Sequence, residues 1–405
     1  MANSAASGPR FTVLCFGFVL CGMVTVLPGP LLPVMAARWG LRDVQSGAFF
    51  AALFLASTVA SIFSPRRLRR NLPLGYASMT AGVALLIVAG QVSAGSLGHA
   101  LALAAFGLVG LGIGLSVTAT NLMVGVTVAE PGIRARRISI VNLWWGIGAV
   151  VCPWLIARSE RAGGVPELLA VLAAGTAGMF VALLPQWRET EPARHGEGRE
   201  SRASQAGILT FFAAFLFLYV GVETVVGGWI TTYAHRFSGM TVERAGLIVS
   251  LYWVALLAGR WAGAWALKTV PEQAVQLPAL ALALAAVAGL VTPHATGIVL
   301  VAVAVAGAGF GPVFPVAVSR MLGRVSDHRN TGWVFAVTAS GGAVLPWLTG
   351  LVSTRTGSLR TGFVVPVAAL AAIVLLAAGE NRVLGRPGGP AGSGSFSKVP
   401  NSEKS

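Results

Sequence analysis

Charge is what this chain has least of. Only 11% of its 405 residues are charged, against 55% apolar, and Asp and Glu number 14 against 29 Lys and Arg. A soluble domain carries about a quarter charged residues, so there is too little ionic surface here to wrap one or two water-soluble domains. Cysteine is equally scarce. Cys15, Cys21 and Cys152 all fall in apolar runs, and Cys15 and Cys21 lie about 9 Å apart along one helix, beyond disulfide reach. The histidines His99, His195, His235, His294 and His328 form no ligand-spaced pair, and the chain has no HExxH stretch and no nucleophile elbow. An enzyme needs convergent reactive groups. Catalysis is not expected, nor is a metal or a cofactor.

What the chain has in abundance is apolar runs of bilayer length, roughly 20 residues each. Twelve spans are expected, at 11–37, 44–63, 73–92, 99–128, 138–157, 167–185, 207–233, 244–268, 275–292, 296–318, 330–353 and 361–379. The first is too long for a signal-peptide core and lacks a small-residue cleavage site, so it reads as a retained helix. The net charge of +15 resides in loops rather than on one face. With a cytoplasmic N-terminus, most Lys and Arg fall on the cytoplasmic side, including Arg66, Arg67, Arg69, Arg70, Arg134, Arg136, Arg137, Arg320 and Arg324. That bias sets orientation: an inner-membrane, multi-pass protein with both termini in the cytoplasm and no nucleic-acid partner.

Between spans six and seven lies RETEPARHGEGRESRAS, a charged Pro/Gly/Ser stretch that reads as a solvated linker. The expected organisation is a six-helix half over 1–187, a cytoplasmic linker over 188–205, a second half over 206–381 and a low-complexity tail over 382–405. The halves echo each other. Gly110, Gly112 and Gly114 recur as Gly307, Gly309 and Gly311, and GAVVCPWL around Pro153 recurs as GAVLPWL around Pro346. Internal repeats of this kind mark transporters with a site between their halves. The glycine strings GLVGLGIG and GAGFG lie inside apolar spans, where they serve close helix approach rather than phosphate binding.

Glu223, in YVGVETVVGGWITTY, is the one acid deep within a span. A carboxylate at that depth is costly unless it faces a cavity or a partner, which makes it the leading substrate contact and the candidate for ion coupling. Trp229 and Tyr233 follow it on a broad polar–aromatic face, suited to a sugar because rings cover C–H surfaces while carboxylates bind hydroxyls. Tyr233, near the outer boundary, reads rather as an interfacial belt residue. Asn121 and Asn142 are amides within spans, and Trp145 follows Asn142 closely; all three are further binding candidates. Arg260, towards the cytoplasmic end of span eight, is a gating candidate.

YVGVETVVGGWITTY and YWVALLAGR resemble helices 7 and 8 of the fucose/galactose/glucose symporter family within the major facilitator superfamily. GLGIGLSVTATN, NLWWGIGAVVCP, GFGPVFP and SGGAVLPWLTG are similar to its helices 4, 5, 10 and 11. The resemblance implies an all-α membrane protein of twelve transmembrane helices in two six-helix halves. It also implies that Gly29 and Val117 occupy the places of the acids that serve proton symport in fucose permease, and the cytoplasmic loop signature is reduced to SPRRLRR. The expected function is alternating-access transport of a sugar or sugar-like small polar solute by a monomer in the lipid bilayer, with coupling to protons, to sodium or to neither left open. The alternatives are an exporter of amphipathic compounds and a non-transporting receptor or scaffold.

Overall fold

The computed structural model describes residues 11–93, 95–127, 131–162, 164–188, 206–292, 295–322, 324 and 332–384. Residues 189–205 of the expected linker and 385–405 of the expected tail lie outside the described residues. Among the described residues every regular element is helical, as a bilayer requires of a chain that must satisfy its backbone internally.

Among the described residues, eleven stretches are long and apolar enough to cross a bilayer. One of them, Asp43–Gln91, has 49 residues, far more than one crossing needs. A 3₁₀ turn at Ser64–Arg67, carrying Pro65, divides it into two helices, α3 (Asp43–Phe63) and α4 (Leu68–Gln91), both packed against α5 (Gly95–Thr127). Counted as two crossings, it agrees with the twelve expected spans. Ahead of it, span one is α1 (Phe11–Val26) and α2 (Pro28–Trp39), interrupted where Pro28 and Pro30 remove backbone donors. The first half closes with α6 (Pro131–Ala162) and α7 (Val165–Leu183).

The second half repeats the plan with α8 (Ala206–Phe237), α9 (Val242–Ala266) and α10 (Glu272–Gly289), followed by a broken span ten. That span is α11 (Thr296–Phe310) and α12 (Val313–Leu322); α13 (Gly332–Thr356), α14 (Leu359–Gly362) and α15 (Val364–Val383) complete the chain. The break at Gly311–Pro312 has a local cause. Pro315 cannot donate to the Gly311 carbonyl one turn earlier, and the Arg260 Nε, 3.4 Å away, donates to it instead. The neighbouring Phe310 carbonyl accepts from the Tyr219 hydroxyl at 2.9 Å.

The two glycine triplets occupy corresponding places. Gly110 and Gly114 press on α3 at Leu53 and Ser57, and Gly307 and Gly311 press on α9 at Tyr252 and Arg260. Gly112 meets α4 at Gly75, while Gly309 meets α10 at Ala279. At each of these positions a Cβ would collide with backbone, so the recurrence in sequence corresponds to a recurrence in helix contacts. Between the halves the main seams are α3 with α13, α6 with α9, and α2 with α8. The three cysteines are buried and free.

Candidate functional site

A cavity of about 180 Å³ lies between the two halves. The first half lines it with Thr25 and Val26 from α1, Gly29 from α2, Phe50 and Phe54 from α3, and Trp145 from α6. The second contributes Val220, Glu223, Thr224, Gly227 and Gly228 from α8, and Trp253 from α9. Glu223 is the one ionisable group among these residues, and it sits near the middle of the 32-residue α8. The walls are otherwise aromatic and aliphatic. Both threonine hydroxyls are committed to their own helices, Thr25 to the Cys21 carbonyl at 2.6 Å and Thr224 to the Val220 carbonyl at 2.7 Å.

Glu223 has neighbours behind the cavity wall. Tyr219 lies one turn earlier on α8, with its hydroxyl proton given to the Phe310 carbonyl at 2.9 Å, and Arg260 of α9 is a nearby cation whose charge acts on the carboxyl. The Tyr252 hydroxyl donates to the Glu223 backbone carbonyl at 3.2 Å. Tyr219 and Arg260 hold the Phe310 and Gly311 carbonyls, so the break in span ten lies close to the cavity carboxyl. Arg260, the gating candidate, is half-buried and donates to the Gly311 carbonyl of span ten.

Of the other sequence candidates, Trp145 lines the cavity, and the remaining three are not among its lining residues. Asn121 and Asn142 bond to each other across α5 and α6 at 3.1 Å, and each also donates to its own helix. Trp229 is fully buried, donates to the Pro346 carbonyl at 3.1 Å and has its ring centroid 6.3 Å from that of Phe50. Tyr233 corrects the belt expectation: it is buried against Phe237 and Phe363, and its hydroxyl donates to the Leu290 carbonyl at 2.5 Å. An internal acceptor removes the reason for a tyrosine to seek the membrane interface. Gly29 lines the cavity, but a Cβ there would lie 2.9 Å from the Gly227 carbonyl. No longer side chain fits at that position without moving α8.

One end of the interface is shut. Arg236 at the end of α8 makes a two-pronged ion pair with Asp43 at the start of α3, both contacts 2.7 Å, and the Ser353 hydroxyl of α13 donates to the same carboxylate. The Val44 amide donates to Thr354 at 2.9 Å. Below this seal Phe50 packs onto Gly228, and Gly29 onto Gly227. Neither Asp43 nor Arg236 stands out in the sequence, because nothing local distinguishes them from other helix-end charges. Trp253, Phe50 and Phe54 were also missed, although Trp253 stands within the YWVALLAGR segment. At the opposite end Glu380 of α15 is buried, with Arg320 at 2.9 Å and Arg324 at 3.1 Å, which ties α15 to the end of span ten.

Residues 14–332 match the family model described as Major Facilitator Superfamily. A curated relative, the glucose/galactose transporter of Brucella abortus, is 25% identical over 385 residues, which cover 89% of this chain and 91% of that protein. The crystal structure of a D-xylose–proton symporter superposes with a TM-score of 0.73 at 14% identity, covering 93% of this chain and 98% of the other. The transporter FucP in its outward conformation gives 0.61 at 20% identity, with 91% and 97% covered. These structures share the fold.

Proposed function

The chain belongs to the Major Facilitator Superfamily, and from that premise we propose that it carries a sugar or sugar-like small polar solute across the inner membrane by alternating access. The observation that carries this reading is the cavity between the halves, where a single carboxylate stands among aromatic rings. A carboxylate accepts from sugar hydroxyls, and the rings of Phe50, Phe54, Trp145 and Trp253 cover C–H faces. The Brucella relative, named for glucose and galactose, supports the same substrate class. Residues 1–187 and 206–381 are the two moving bodies, Glu223 and Trp145 are contacts for the solute, and Glu223 is the group through which a proton or sodium ion would be coupled.

The test is ligand stabilisation of the purified protein. A ligand that binds the folded state alone adds about 2.7 kcal/mol at one hundred times its Kd. Among D-glucose, D-galactose, L-fucose and D-xylose, at least one is expected to raise the melting temperature saturably. A flat response to all four, together with a response to amphipathic cations, would replace this reading with the exporter.

Orientation is a second proposal, supported by the arginine-rich segment around Arg66 and Arg67. A cysteine at exposed Arg67 is expected to resist an impermeant maleimide added outside intact cells, whereas one at exposed Arg42 is expected to react. The reverse pattern inverts the topology.

A further inference from the structure

The seam between α6 and α9 carries two acids that the cavity does not use. These helices run antiparallel across the two halves, and three contacts fix their register. The Ser250 hydroxyl donates to the Val150 carbonyl at 2.9 Å. A Cβ on Gly146 would lie 2.8 Å from Leu257, and one on Gly246 would lie 3.5 Å from Ala157. One turn further along that register, Glu160 of α6 comes opposite Glu243 in the first turn of α9. A short turn joins α9 to the end of α8 that carries Arg236, so the two acids stand at the sealed end. At 32 residues, α6 is about 48 Å long, against a hydrocarbon core of about 30 Å. With span five at 138–157, its last turn lies beyond that core.

Glu160 is half-buried, and its Oε1 has no hydrogen-bond partner among the described residues. Burial first, and then the charge of Glu243, push its carboxyl up to about 7. Other elements packed against α6 also bring charged or titratable groups to this end. Among the described side chains these are Arg38 of α2, His99 of α5, Glu167 of α7 and Arg244 of α9, beside Arg158 on α6 itself. Arg38, Arg158, Glu167 and Arg244 are exposed, and the His99 Nε2 lies 3.2 Å from the Gln45 carbonyl.

We propose that Glu160 and Glu243 form a proton-sensitive latch between the halves: the end seals with a proton on Glu160, and losing that proton sets two like charges across the seam and favours opening. The latch rests on the alternating-access reading above, in which the halves part at this end, and is independent of the solute. Parting rehydrates Glu160 and returns its carboxyl to the ordinary range, so the sealed state holds the proton more tightly. Acid therefore favours sealing, and that advantage is lost as pH rises through about 7. The Asp43–Arg236 pair works in the opposite sense, because a proton on Asp43 would remove the charge that Arg236 holds.

The experiment is pulsed dipolar spectroscopy on the purified full-length protein. Spin labels go at exposed Ser96→Cys on α5 and Thr356→Cys on α13, uncharged positions at the sealed end, while the native cysteines are buried. Between pH 5 and pH 8 the ratio of short to long distances is expected to fall at least about tenfold. Glu160→Gln, which resembles the protonated acid, is expected to keep the short distance at both pH values, and Glu243→Gln to raise its share at pH 8. His99→Gln and His235→Gln are expected to respond to pH as the unsubstituted protein does. A two-distance distribution in the unsubstituted protein that ignores pH overturns the latch, and this measurement needs no variant at these acids to fold. A full pH response in Glu160→Gln, or its loss in either histidine variant, also overturns it. A single distance at every pH, in the unsubstituted protein and in Arg236→Ala alike, would mean that the halves do not part here. That result fails the alternating-access reading first and takes this inference with it.

Discussion

Replacing Arg236 by alanine is expected to open the sealed end of the protein. The substitution leaves Asp43, whose side chain is 8% exposed, with Ser353 but without a counter-charge. Removing one partner of a buried pair typically costs about 3–5 kcal/mol. The cost falls only on the conformation in which Asp43 is buried at the interface, because separation of the halves rehydrates it. Since each 1.4 kcal/mol is about tenfold, the closed state loses at least about a hundredfold in population relative to one open at that end. Asp43→Asn should do less, because Arg236 is 36% exposed and recovers water where it stands. Spin labels at exposed Arg38→Cys and Arg244→Cys, on α2 and α9, report the separation across this mouth. Pulsed dipolar spectroscopy should show the longer distance gaining weight in Arg236→Ala, less so in Asp43→Asn, and receding when the charges are exchanged as Asp43→Arg with Arg236→Asp. An unchanged distribution in Arg236→Ala would make the pair a bystander to closure.

The second large effect is expected at Glu223. Glutamine preserves the shape of the side chain and removes its charge, so any change reports on the charge itself. Hydrogen bonds to a charged group contribute about 1.5–3 kcal/mol, which predicts a loss of solute affinity of about ten- to a hundredfold in Glu223→Gln. Arg260 and Tyr219 each retain a carbonyl at the break in span ten, so the fold should survive. Uptake by proteoliposomes under imposed proton and sodium gradients separates two roles. If the carboxylate couples transport to an ion, Glu223→Gln loses uphill accumulation and keeps exchange of solute across the membrane. If the protein is a uniporter, neither form responds to a gradient and only affinity changes. Undiminished gradient-driven accumulation by the variant would remove Glu223 from the mechanism.

Cavity chemistry also bears on the alternatives. A pocket for amphipathic cations would share the aromatic walls and the carboxylate, since cations bind both ring faces and anions. The two readings are separated by which ligands stabilise the purified protein.

The sequence by itself determined the solvent, the architecture and the central acid. Apolar runs are local quantities, and the bilayer converts them directly into spans. The recurrence of glycine triplets and of Pro153 at Pro346 carried the two-half plan, because close helix contacts demand small residues wherever they occur. Glu223 was legible for the same reason: its cost in hydrocarbon depends on depth alone. Which side chains share the cavity was decided only by the tertiary structure. Successive residues on a helix point about 100° apart, so the rotation of each helix about its axis selects Trp253 over Trp229 and turns Asn121 and Asn142 toward each other. Tyr233 was misread as interfacial because its acceptor, the Leu290 carbonyl, lies just past the end of another helix, α10. Asp43 and Arg236 look like ordinary helix-end charges until the halves meet, and their partnership across 193 positions is a property of the closed interface that no segment of the chain carries alone.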